Sequence, residues 1–202
     1  MSQRLRVAQL AGAALLSAGV MVAAPATTSA ASTGTTATAA FRHQAAGAGL
    51  TNAQMNVLQR QVDAYLASEG GNQIAANEVA FGHGSSTLFV IPGETYAREL
   101  AQSPSEAAAT AMAGAPSSCP KGDFCAYTGV NYTGKLQKMG PCDYYKLQGS
   151  GWNGPGSWYN NQSDGIQAEM YDKYGYWVYT TPPAPSHDTH GNWAKIWYIQ
   201  NC

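Results

Sequence analysis

The chain has 202 residues, of which 45% are apolar, 10% aromatic and only 11% charged. That length holds one ordinary domain or two small ones and excludes a large multidomain enzyme. The 11 Lys and Arg against 12 Asp and Glu leave a formal net charge of −1, too little positive charge for the backbone electrostatics of a nucleic-acid binder.

The composition divides sharply along the chain. All 4 Cys, all 5 Trp and 10 of the 12 Tyr fall in residues 119–202, where 6 Lys balance 6 acids; residues 31–118 are alanine-rich and carry 3 Arg against 6 acids. Two unequal units are therefore expected.

Residues 1–30 read as a signal peptide. Arg4 and Arg6 form a positive start, Val7 to Ala24 is an uncharged apolar run, Pro25 breaks it, and Ala26 to Ala31 supplies small residues for cleavage. The run is rich in Ala and Gly and flows into that cleavage site instead of a charged stop, which argues against a membrane anchor. A secreted, extracellular protein follows, in a compartment where disulfides persist and with no membrane association once the signal is removed.

Residues 31–49 lack periodic large side chains and are expected to be disordered. Residues 50–100 read as a small helix and hairpin leader unit. Thr51 is placed to cap a helix, with Gln54 returning the bond and Leu50 stapled to Met55; Met55, Leu58, Val62, Tyr65 and Leu66 share one stripe, and Gly70-Gly71 stops it. Gln73 to Phe81 and Thr87 to Ile91 are strand-like runs joined at Gly82 to Ser85. Residues 101–118 read as a linker, with Glu106 to Met112 able to form a short helix.

Residues 119–202 form a disulfide-braced, mainly β domain. Candidate strands are Asp123 to Thr128, Gly134 to Met139, Ile166 to Tyr171, Tyr176 to Thr180 and Trp193 to Ile199, with Asp172 to Gly175 as a hairpin turn. A core this small makes Cys119, Cys125, Cys142 and Cys202 structural. Four cysteines allow three pairings between which the sequence does not choose; Cys119 with Cys125 and Cys142 with Cys202 is the preferred one.

The segment Cys119-Pro120 through Gly122, Phe124-Cys125 and Tyr127, followed by Asn131-Tyr132 and Gly134, resembles the opening of peptidase inhibitor family I36 of secreted actinomycete proteins. That family is similar in fold to βγ-crystallins, so the resemblance implies a Greek-key β-sandwich in which Tyr127, Tyr132 and Gly134 make the aromatic corner. Ser157 to Gly165 resembles the family's Asn-Asn-Gln segment, which implies Ser163 as the fold serine, and Trp193 to Cys202 resembles its last strand.

Functionally the resemblance implies a non-enzymatic inhibitor of a secreted zinc metalloproteinase, and a monomer is expected. The founding member's reactive loop lies within a Cys-Val-x-x-x-Cys disulfide. Here Cys142 is followed by Asp143-Tyr144-Tyr145, so no reactive residues carry over. The loops long enough to enter an enzyme cleft are Gly149 to Ser157 and Pro182 to Asn192, with Trp152 as anchor and Asn153 and Trp158 beside it as a candidate interaction loop.

The resemblance also raises weak calcium binding at Asn160, Asn161, Ser163 and Asp164, although the serine stands one place early and Asp164 replaces a hydroxyl. No other cofactor is expected. His187 and His190 flank Asp188 in a polar loop without a third ligand, and no nucleophile or phosphate-loop motif is present. The sequons at Asn131 and Asn161 depend on the host. The alternative functions are a cell-wall or polysaccharide-binding module, suggested by the excess of Trp and Tyr, and a structural or toxin-like crystallin domain.

Overall fold

The computed structural model describes residues 30–147 and 149–202. The expected signal peptide lies outside the described residues except for Ala30. From α1 (Ala30–Gly47) onward the fold is mostly β.

Residues 31–49, expected to be disordered, are instead largely helical in α1. The physical reason is tertiary: Ala45 is buried and Phe41 half-buried against the next helix, and the Gln44 side-chain oxygen accepts the Ala76 N–H at 2.7 Å. Helix α2 (Asn52–Glu69) starts with a full capping box between Thr51 and Gln54. Its Met55, Leu58, Val62 and Tyr65 are buried, and Leu50 joins them in one cluster.

The run Gln73 to Phe81, read as one strand, is a hairpin of its own. It comprises β1 (Asn72–Ala75) and β2 (Glu78–Ala80), turning at Ala76-Asn77. Strand β3 (Ser85–Leu88) follows, then α3 (Pro104–Met112), capped by Ser103 with Glu106.

The remaining strands are β4 (Phe124–Tyr127), β5 (Leu136–Met139), β6 (Tyr144–Lys146), β7 (Pro155–Asn160), β8 (Glu169–Tyr171), β9 (Trp177–Thr180), β10 (Ser186–Asn192) and β11 (Tyr198–Gln200). They lie in two sheets. One has the order β1-β2-β3-β5-β4-β7-β10 and the other β6-β11-β8-β9. Each run of four strands after α3 gives its third strand, β6 or β10, to the opposite sheet.

The two expected units therefore share one sheet. Strand β3 pairs with β5 from Ser85↔Met139 to Leu88↔Leu136, and Lys138 on β5 forms ion pairs with Glu78 and Glu99 at 2.8 Å each. The stretch read as a linker packs Ala107 and Ala111 of α3 inward, with Ala111 joining Tyr127, Tyr132 and Leu136.

Three apolar clusters follow from this arrangement. One lies under α1 and α2 against β2. A second lies on the outer face of the long sheet, beneath α3. The third fills the space between the sheets with Phe124, Trp152, Trp158, Met170, Trp193 and Ile199. Two disulfides, Cys119–Cys125 and Cys142–Cys202, brace the C-terminal part.

Candidate functional site

Tyr127, Tyr132 and Gly134 come together at a corner. The Tyr127 and Tyr132 rings meet edge-on at 5.3 Å, and Tyr132 and Gly134 both adopt positive φ. Burial raises the Tyr132 phenol to about 12.

The corner is closed by a serine other than the one expected. Ser163 is exposed in a turn, whereas the buried Ser157 Oγ accepts the Tyr132 N–H at 2.8 Å and donates to the Gly129 carbonyl at 2.7 Å. Ser157 lies on β7, which pairs directly with β4, so its hydroxyl reaches the corner. Ser163 lies past the end of that strand. The serine that follows Gly156 and opens the alternation of β7 was the available sequence signal.

The candidate calcium ligands do not converge. Asn160 is buried, its amide donating to the Ile166 carbonyl and its oxygen accepting the Gln162 N–H. Asn161 donates to the Cys119 carbonyl, and Asp164 faces Lys121 at 3.4 Å. These side chains pin turns instead of forming an oxygen cage. Among the described residues no group of three or more His, Cys, Asp or Glu could hold a metal ion.

The proposed interaction loop is redistributed as well. Trp152 and Trp158 are both core residues: Trp152 sits edge-on to Trp193 at 5.6 Å, and Trp158 stacks on Phe124 at 5.9 Å. Pro155 to Asn160 is strand β7, and Ser186 to Asn192, also read as loop, is its partner β10. Trp152 cannot be a protruding anchor. Asn153 is exposed.

What remains is a short exposed segment, Ser150 to Asn153, held from below. Trp152 fixes it to the core. Leu147 N–H donates to the Trp197 carbonyl at 2.9 Å, and Lys135 Nζ donates to the Ser150 carbonyl at 2.7 Å. Lys135 also lies 5.1 Å from the Tyr65 ring centre, and burial pulls its ammonium down despite Glu69 nearby. Gly149 has φ +74, and a Cβ there would run into the Tyr65 ring, so only glycine fits.

Two clefts flank the segment. One, about 710 Å³, lies between α2 and the β4–β5 corner and includes Tyr65, Glu69, Lys135 and Ser150. The other, about 360 Å³, is lined by Glu69, Lys146, Gly151, Asn153 and Trp197 among others. Sequence reasoning placed the loop but missed its supports, because Lys135 and Tyr65 are distant in the chain and adjacent only once β3 has joined β5.

Among the described residues no helix is long and apolar enough to cross a membrane. Neither a curated protein nor a solved structure matches the chain. Residues 112–180, from the end of α3 to the end of β9, match the model of peptidase inhibitor family I36, so this part of the chain is similar to that family.

Proposed function

We propose that the protein is a secreted inhibitor of zinc metalloproteinases that presents Ser150 to Asn153 to the enzyme as a pre-formed segment on a crystallin-type Greek-key sandwich. The carrying observation is the support of that segment: Lys135 donates to the Ser150 carbonyl, the Trp152 ring packs on Trp193, and the Gly154 carbonyl just after it accepts the Trp193 N–H, which lowers the backbone freedom lost on binding. The exchange of β6 and β10 between sheets supports the Greek-key reading. Secretion rests on the positive, apolar and small-residue pattern of residues 1–30. The metalloproteinase target rests on the family resemblance.

The test is stoichiometric titration of the purified protein against a panel of thermolysin-like enzymes. Inhibition that weakens about tenfold in Asn153→Ala or Lys135→Met is expected for one lost anchoring contact. Failure to inhibit any enzyme of the panel at micromolar concentration sinks the target class; inhibition untouched by both variants sinks the segment.

A further inference from the structure

We propose that the outer face of β6-β11-β8-β9 is a binding platform for a neutral polysaccharide chain, separate from the Ser150 to Asn153 segment. The inner row of this sheet, Tyr145, Ile199 and Met170, is buried in the core. Alternation therefore turns two other rows outward. By register they read Lys146, Tyr198, Tyr171, Trp177 and Tyr144, Gln200, Glu169, Thr180.

Nothing among the described residues covers them. Trp177 is 62% exposed, Tyr144 45%, and Tyr174 and Tyr176 at the β8–β9 turn 72% and 71%. The rings fall in two groups: Tyr144 lies 5.1 Å from Tyr198 and 5.4 Å from Tyr171, and Tyr174 lies 6.4 Å from Tyr176 at the turn. The turn is rigid, since the Asp172 carboxylate accepts the N–H groups of both Tyr174 and Tyr176 at 2.9 Å. Large exposed apolar patches on a folded protein mark binding sites.

The chemistry selects the occupant. Every large apolar side chain in these two rows and the turn is aromatic, and Gln200, Glu169 and Thr180 interleave them with hydrogen-bonding groups. Pyranose rings match this mixture: their C–H faces pack on aromatic rings while their hydroxyls bond to flanking amides and carboxylates. Charges on the face are few, Lys146 and Lys173 against Glu169 and Asp172, with Lys146 at its rim 4.0 Å from Glu69, so it exerts little net pull on nucleic acid or an acidic chain.

The experiment uses the full chain after signal removal, incubated with insoluble chitin and cellulose and titrated with chitohexaose and cellohexaose. Binding to at least one is expected, weakened about tenfold by Trp177→Ala or Tyr176→Ala and unchanged by Ile74→Ala or Met112→Ala, whose side chains are exposed elsewhere. Both aromatic variants alter exposed side chains, and unchanged melting temperatures confirm that they fold.

Bound glycan should also protect tryptophan fluorescence from acrylamide in the parent and not in Trp177→Ala. No binding to any of the four carbohydrates overturns the proposal, as does binding that survives both aromatic variants. Concentration-dependent dimers abolished by Trp177→Ala, without glycan binding, would assign the face to a second copy and overturn it too. Peptidase inhibition, measured in parallel, should be unaffected by Trp177→Ala, so the two readings fail separately.

Discussion

Lys138 on β5 and Glu78 on β2 form a buried ion pair, Nζ to Oε1 at 2.8 Å, across the sheet that joins the two parts of the chain. Burial alone would lower the Lys138 ammonium, but the hydrogen bonds and charges of Glu78 and Glu99 outweigh it and hold the group above 10.5. Lys138→Met leaves Glu78 buried without a counter-charge and should cost about 3–5 kcal/mol in urea unfolding at neutral pH. Because the folded value is raised, the stabilisation is complete below 10.5 and fades as pH climbs through the folded value. The gap between parent and variant should close at strongly alkaline pH.

Ser157→Ala removes one donor and one acceptor from the corner and strands the Tyr132 N–H, a loss of about 1–3 kcal/mol. Ser163→Ala, on an exposed turn, should stay within about 0.5 kcal/mol of the parent. Paired thermal melts decide between the two serines.

Gly156 lies against the Trp193 indole, whose Nε1–H donates to the Tyr127 carbonyl at 2.7 Å. A methyl group there has no room. Gly156→Ala should destabilise by about 1–3 kcal/mol or more through overpacking, and near-UV circular dichroism should report the displaced indole.

The disulfides differ in reach, with sequence separations of 6 and 60. On loop entropy the first contributes about 2 kcal/mol and the second about 4. Replacing Cys142 and Cys202 together by Ser should therefore lower the unfolding midpoint more than replacing Cys119 and Cys125.

Tyr65, Tyr132 and Tyr145 are each pushed up to about 12, with burial as the largest cause. Unfolding returns them to about 10. The folded state holds their protons more tightly, so stability should fall from pH 10 through 12. Ultraviolet titration should show phenols ionising late and together with loss of structure.

Local chemistry made α2 legible, whereas α1 was not, because its helix rests on tertiary contacts through Phe41, Gln44 and Ala45. The Thr51 and Gln54 capping box and the Met55 to Tyr65 stripe are written within a few residues, as is the hairpin turn at Asp172. Three strands were missed for a physical reason. Ser186 to Asn192 contains two histidines, a glycine and no large apolar residue, and it is a strand only because β7 offers it a ladder. The Trp152 stretch looked like a mobile loop because glycine surrounds it, yet the indole packs on Trp193, 41 residues downstream in the sequence. The outer aromatic face was visible only as an unexplained surplus of rings, since which ring faces out depends on strand pairing.

Strand β3 has a protective role that the family match alone would hide. By pairing along β5 it keeps that strand's N–H and C=O groups from recruiting another chain. A fragment trimmed to residues 112–180 would lose β3 on one side of the sheet, β10 on the other and β11 from the second sheet. It would expose two raw edges and split open the Met170 and Ile199 core, and should aggregate where the longer chain stays dispersed.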